Sequence, residues 1–233
     1  MDRQKAAARA SWSGSGDAAT DGLWFDIKDE FGATDFLGYE TEQAQGQIAA
    51  IVMNGERVDE AGAGDEVQIV VNQTPFYGES GGQMGDSGHI TSGGMTLDIT
   101  DTQKKLAAVH VHVGKVSEGT VRVGDDVTLS VNHAKRSQMR ANHSATHLLH
   151  AALRLELGDH VTQKGSMVAS DRLRFDISHH KAVDASELAD VELMVNGQVR
   201  ANTDVTTRLM APEEAVEAWA MALFGEKYGD EVR

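Results

Sequence analysis

The chain has 233 residues, a formal net charge of −15 at pH 7 and no cysteine. The length allows one large domain or two small ones, and the lack of cysteine means that only His, Asp or Glu could bind a metal from this chain alone. The negative charge argues against a general nucleic-acid coat protein, because non-specific affinity comes from neutralising phosphates. Apolar runs are short and no secretory signal is present, so we expect a cytoplasmic protein.

The first half of the chain predicts a β-barrel. Residues 1–21 read as the end of a helix followed by a flexible linker. Residues 22–132 contain short β-branched runs separated by turn residues, which is typical of a small barrel or curled sheet. Asn54-Gly55 indicates a hairpin turn within this region. The predicted strands cover residues 47–53, 66–71, 110–113, 120–123 and 127–131.

The second half, residues 133–233, predicts an α+β subdomain. Apolar residues at helical spacing favour one long helix over about 134–157, ended by Gly158. Ser186 is the expected N-cap of a second helix that runs to about residue 202. Paired strands are predicted at 165–168 and 173–177, a further strand at 205–210, and a last helix from 212 to about 223. The fold class is therefore α+β.

The stretch NHSATHLLH at 142–150 contains a candidate metal-binding pair. His143 and His147 are spaced i and i+4, which lets two imidazoles on one helical face reach the same ion. Ser144 stands where H-E-x-x-H proteins have their glutamate base, and zinc sites need at least three protein ligands. His150 would be a third ligand only if three helical positions converged on one ion. Packing and hydrogen bonding are the alternative explanation for these histidines.

The glycine-rich stretch TPFYGESGGQMGDSG, residues 74–88, is the second candidate site. It matches neither a phosphate-binding P-loop nor a dinucleotide fingerprint. Its glycines permit bulges and positive φ, so a barrel corner is the structural interpretation. The tripeptide Gly81-Gly82-Gln83 is also similar to the one with which peptide-chain release factors hydrolyse peptidyl-tRNA esters.

Clustered cations offer a local basic patch that could bind RNA. Ordinary surface cations on a solvated helix face are the alternative interpretation. The residues concerned are Lys135, Arg136, Arg140, Arg154, Lys164, Arg172 and Arg174.

Five segments, in order and spacing, resemble the editing domain of bacterial alanyl-tRNA synthetases. They are TPFYGESGGQMGD, NHSATHLLHAAL, HVTQKGSMV, LRFDISH and MALFGEKYGDEVR. The resemblance covers about residues 22–233. It implies a glycine-rich β-barrel followed by an α+β editing subdomain, related to threonyl-tRNA synthetases and to freestanding alanyl-tRNA deacylases. It also implies a fragment of an ATP-dependent alanine-tRNA ligase, in which this part hydrolyses seryl- or glycyl-tRNA(Ala) at the tRNA 3′ end, with no membrane or DNA partner.

The resemblance also implies the site residues. The family holds zinc with H-x-x-x-H and a downstream C-x-x-x-H, so His143 and His147 match the first ligand pair. The second pair would lie beyond Arg233, which predicts a piece of a longer enzyme, an incomplete zinc site and little activity alone. We expect the Gln83 side chain to face His143.

A catalytic set and a substrate pocket follow from the same resemblance. The alternatives to the editing function are a non-catalytic RNA-binding module of related fold and a release-factor-like or threonyl-type hydrolase. The predicted catalytic residues are Gln83, His143 and His147, and the predicted substrate-binding residues are Gln83, Thr162, Gln163 and Ser166.

Overall fold

A computed structural model describes residues 18–218 and 230–232 of the chain. It is a mixed α/β structure in which a strand-rich, barrel-like sheet is followed by helices and a two-stranded sheet. Residues 1–17, which include the predicted linker, lie outside the described residues. Helix α1 begins directly after them and covers Ala18–Phe31. Its Trp24 and Ile27 are buried against the outside of the barrel.

Eleven strands form the barrel region, and its main sheet is antiparallel throughout. They are β1 Asp35–Phe36, β2 Gln43–Met53, β3 Glu56–Val58, β4 Glu60–Gly62, β5 Glu66–Val71, β6 Gln73–Thr74, β7 Gly88–Ser92, β8 Met95–Lys105, β9 Val109–Glu118, β10 Thr120–Arg122 and β11 Asp126–Val131. The order β11-β7-β8-β9-β5-β2-β3 closes into a ring because β11 also pairs with β2. Alternating apolar residues fill the interior, as the strand period of two requires.

The predicted hairpin at Asn54-Gly55 is confirmed. These two residues join β2 to β3, and their φ values are 53° and 83°. Both central residues of a type I′ turn need positive φ, which asparagine tolerates and glycine adopts freely. This two-residue turn sets the register of β2 with β3.

Helix α2, His133–Leu157, confirms the predicted long helix. Asn132 caps its first turn by accepting a hydrogen bond from Lys135 N at 3.1 Å. Gly158, with φ 111°, ends it in a conformation that side chains disfavour. The apolar face of α2 packs on a small second core that includes Leu153, Val161 and Val191.

Two strands and another helix complete that core. Strands β12 Thr162–Val168 and β13 Leu173–Ser178 pair as predicted. Helix α3, Ala185–Ala201, is also present, but Ser186 is not its cap. Asp184 occupies that position and accepts hydrogen bonds from the backbone of Ser186 and Glu187, both at 3.0 Å. The Glu187 carboxylate accepts from the Asp184 backbone in return and completes a capping box.

The region after α3 differs from the prediction. Residues 205–210 do not form the expected strand, and only Met210 makes a single bridge, to Val232. The final helix α4 begins at Pro212 as predicted, and its described part is Pro212–Glu217. Ala218 is a turn residue at the end of this helix, and residues 219–223 of the predicted helix lie outside the described residues. None of the described helices combines the length and apolarity that a membrane crossing requires.

Candidate functional site

The glycine-rich loop between β6 and β7 begins at a buried hydrogen-bond chain. His112 is fully buried, and its Nε2 lies 2.7 Å from the Thr74 hydroxyl, while its Nδ1 donates to Ile69 O at 3.1 Å. The Thr74 hydroxyl in turn accepts from Phe76 N at 3.1 Å. Desolvation lowers the pKa of His112 to about 4, so the ring is neutral at pH 7.

The loop then docks on strand β12. Val168 N donates to Gly82 O at 2.8 Å, and Met84 N donates to Val168 O at 3.0 Å. Gly82 has φ 84°, and a Cβ at this position would lie 2.4 Å from Ser166 O. Glycine is therefore required here for two independent reasons, backbone conformation and close approach. The docking holds Gln83 between the barrel and the second core.

A buried ion pair fixes the end of this loop to helix α2. Arg136 is 4% exposed, and its Nε donates to both oxygens of Asp86 at 2.9 Å. Its remaining nitrogens donate to Gly38 O at 3.1 Å and Pro75 O at 2.7 Å. Each guanidinium nitrogen thus has a hydrogen-bond partner, and the charge has a counter-charge, as a buried ion requires. The expectation that Arg136 is a surface cation is wrong.

These two attachments bring the two predicted motifs together. The Gln83 side chain faces His143, as expected, and its Oε1 accepts a hydrogen bond from His143 Nδ1 at 2.7 Å. The two side chains border a groove of about 500 Å³ that Tyr39, Tyr77 and Arg140 also line. The groove is open, and its lining combines aromatic rings with polar and charged side chains, so a ligand with a hydroxyl or a charge would find partners there.

The state of His143 suits a metal ligand. Desolvation, and then the neighbouring His147, lower its pKa, which favours the neutral ring. Donation from Nδ1 to Gln83 leaves the Nε2 lone pair available, as in sites where an outer partner orients a ligating histidine. The His147 ring lies one turn away, with ring centroids 5.0 Å apart. His143 and His147 are therefore the residues of this groove that could hold a metal ion.

The other predicted site residues are spread along β12. Ser166 lies against Gly82 and so close to the Gln83 loop. Thr162 is at the opposite end of the strand, where its hydroxyl lies 2.7 Å from the Ser178 hydroxyl. Gln163 is next to Thr162, and its side chain is exposed. The His150 ring, on α2, lies against that of Phe175, with centroids 5.2 Å apart and planes inclined at 52°.

The proposed basic patch is largely neutralised. Besides Arg136, its other arginines each contact a carboxylate: Arg140 pairs with Glu42, Arg154 with Asp159, Arg172 with Asp171 and Arg174 with Asp176. Most of these pairs are solvent-exposed, as ordinary surface ion pairs are. The surface-cation interpretation is therefore the better one for these four arginines.

The family model of tRNA synthetases class II (A) matches residues 1–135. The chain belongs to this class II tRNA synthetase family.

Its relatives carry a more specific name. The chain is 61% identical to the alanine–tRNA ligase of Mesorhizobium japonicum, 61% to that of Rhizorhabdus wittichii and 60% to that of a Chelativorans species. Each alignment covers 100% of this chain and 26% of the relative. The chain thus spans about a quarter of the length of these ligases.

Proposed function

We propose that this chain is the part of an alanine–tRNA ligase that removes wrongly attached serine or glycine from tRNA(Ala). The hydrogen bond between Gln83 and His143 carries this proposal, because it joins the glycine-rich loop and the H-x-x-x-H helix at one groove. Similarity to alanine–tRNA ligases over the whole chain supports it. In this proposal residues 22–132 form the barrel and residues 133–233 form the editing subdomain. The enzyme would act in the cytoplasm.

The need for such a site follows from binding energetics. A pocket shaped for the alanine methyl group cannot strongly reject glycine, which is smaller, or serine, which only adds a hydroxyl. Discrimination of this kind is worth only about 1–3 kcal/mol, or roughly 10–200-fold. A second site that hydrolyses the wrong ester corrects the remainder. Its substrate is the aminoacyl ester at the 3′ end of tRNA(Ala).

We assign a separate role to each residue of the groove. Gln83 orients His143 through its Oε1, which leaves the Gln83 amide N–H groups free to donate to a seryl hydroxyl or an ester oxygen. His143 and His147 would hold zinc as two of its ligands, and the ion would supply polarisation of the ester carbonyl. Ser166 is the better placed of the three β12 candidates. Thr162 and Gln163 would need the substrate to extend along the strand.

The binding-module alternative is weaker. It leaves unexplained why the Gln83 loop and the H-x-x-x-H helix meet at one groove, whereas a hydrolytic site needs groups from both.

The test uses the full-length parent ligase, where aminoacylation provides an internal control. We expect it to deacylate seryl-tRNA(Ala) faster than alanyl-tRNA(Ala), and His147→Ala to reduce seryl-tRNA(Ala) hydrolysis by at least ~100-fold while alanine attachment persists. His89→Ala, a histidine on the barrel surface, should leave both activities unchanged. Undiminished hydrolysis in His147→Ala would refute the proposed site.

A further inference from the structure

Three histidines meet at the far end of the β12–β13 hairpin. One ring nitrogen from each of His160, His179 and His180 lies within 4.8 Å of the other two. We propose that these imidazoles form a binding site for a divalent transition-metal ion of the zinc, nickel or copper class. The site is separate from the His143 and His147 pair and does not depend on the proposed editing function.

The hairpin register explains why these residues converge. Thr162 and Ser178 are the last pair of β12 and β13, so the residues just outside them emerge side by side. The Ser178 hydroxyl accepts from Thr162 N at 3.1 Å and lies 3.3 Å from His160 O. A Cβ on Gly158 would lie 3.1 Å from His160 Nδ1, so the end of helix α2 limits that ring on the other side. The fold therefore positions the His160 backbone and limits the space available to its ring.

The spacing of the rings suits a metal ion. His160 Nε2 lies 2.9 Å from His179 Nδ1, and the ring centroids are 5.1 Å apart. The His180 ring lies 4.6 Å from that of His179 and 5.2 Å from that of His160. Zinc–nitrogen bonds of about 2.05 Å at tetrahedral angles put ligand nitrogens about 3.3 Å apart. Small side-chain rotations would bring all three nitrogens to that separation.

His179 has a second ring nitrogen, Nε2, which is not the one that approaches His160. Its Nε2 is shielded from solvent and has no hydrogen-bond partner among the described residues. Neutral imidazoles suit zinc, copper and nickel, and three of them leave a fourth position for water.

The new site is distant from the Gln83 groove. Gln83 bridges to Val168 at one end of β12, whereas the histidine cluster follows from Thr162 at the other. Seven residues of extended strand span about 20 Å. The two sites can therefore be removed independently by substitution.

The experiment is a calorimetric titration of the whole 233-residue chain with zinc chloride after chelator treatment and dialysis. We expect the chain to bind zinc at this cluster, and the double variant His143→Ala, His147→Ala to keep that binding. His179→Ala should weaken it by more than the ~10–100-fold typical of outer-partner substitutions, because it removes a ligand. His180→Ala, whose ring is exposed, should weaken it in the same way without a risk to folding.

His89→Ala is the matched control, because it removes an exposed histidine outside both clusters. It should leave the zinc affinity unchanged, and circular dichroism should show every variant folded. Three results would overturn the site: no zinc binding by the parent chain, unchanged affinity in both His179→Ala and His180→Ala, or loss of binding only in the His143, His147 double variant.

Discussion

Gln83 Oε1 accepts a hydrogen bond from His143 Nδ1 at 2.7 Å, although the two residues are 60 positions apart in the chain. The contact joins a loop of the barrel to the helix that begins the second half. Since the amide fixes which nitrogen of His143 carries the proton, Gln83 controls which nitrogen can bind a ligand. The groove therefore depends on both halves of the chain being correctly placed.

Gln83→Glu should raise the pKa of His143 from its lowered value. A carboxylate at hydrogen-bond distance favours the charged imidazolium, whereas the amide does not. The measurement is a histidine-ring NMR titration of the folded chain. Gln45→Glu places the same charge on the barrel surface and should leave His143 unaffected. An unchanged His143 pKa in Gln83→Glu would mean that the two side chains do not meet in solution.

Gly82→Ala should destabilise the chain more than Gly81→Ala. Both glycines have positive φ, 84° and 59°, so each substitution carries a backbone cost of about 1–2 kcal/mol. Only at Gly82 would the added Cβ also meet Ser166 O, at 2.4 Å, whereas Gly81 has open space. Urea unfolding should show the difference. Equal losses would argue against the docking of the loop on β12.

Asp86→Ala should cost about 3–5 kcal/mol of unfolding free energy, because it leaves the buried Arg136 guanidinium without its counter-charge. Glu60→Ala breaks an exposed pair with Arg122 and should cost less than about 1 kcal/mol. Chemical denaturation of both variants makes the comparison. Adding Arg136→Met to Asp86→Ala should recover part of the loss, and a further loss instead would contradict the explanation.

Stability should fall as the pH drops from about 6.5 towards 4. His110 and His112 have pKa values lowered to about 4, chiefly by desolvation, so the unfolded chain binds protons in this range that the folded chain does not. For the fully buried His112 the loss by pH 4 is on the order of 3 kcal/mol.

The test is urea unfolding at several pH values. His112→Gln should flatten the acid slope, whatever it costs at pH 7, and His89→Gln should not. A slope unaffected by His112→Gln would mean that this ring is not neutral in the folded state.

Local patterns predicted the local structure well. Helix α2 followed from the spacing of its apolar residues and from Gly158, and the Asn54-Gly55 turn followed from the conformations these residues adopt. The Asp184 cap had a signal too, because Asp184 and Glu187 have capping-box spacing, but Ser186 was equally acceptable by residue type. The failed strand at 205–210 had β-branched residues without a partner strand, and Val205 is 89% exposed.

Local sequence patterns did not predict contacts between residues that lie far apart in the chain. Arg136 had the features of a surface cation because its partner Asp86 lies 50 positions away in the chain. His160 and His179 are 19 positions apart, and only the register of β12 with β13 brings them together. A histidine on each side of a predicted strand pair was the one signal available for that cluster. The Gln83–His143 contact was expected from the family resemblance rather than from the residues themselves.

The passage from barrel to helix has a mechanical consequence. Strand β11 ends at Val131, Asn132 caps the helix, and α2 begins at His133, so no flexible residue separates them. His143 lies ten residues further on, about 15 Å along a stiff rod. A tilt of only about 5° at Asn132 would displace the imidazole by about 1.3 Å, and misplacements near 1 Å can cost about 100-fold in rate. Substitutions at the barrel rim around Asn132 are therefore expected to displace His143 and lower the rate, although they change no residue that lines the groove.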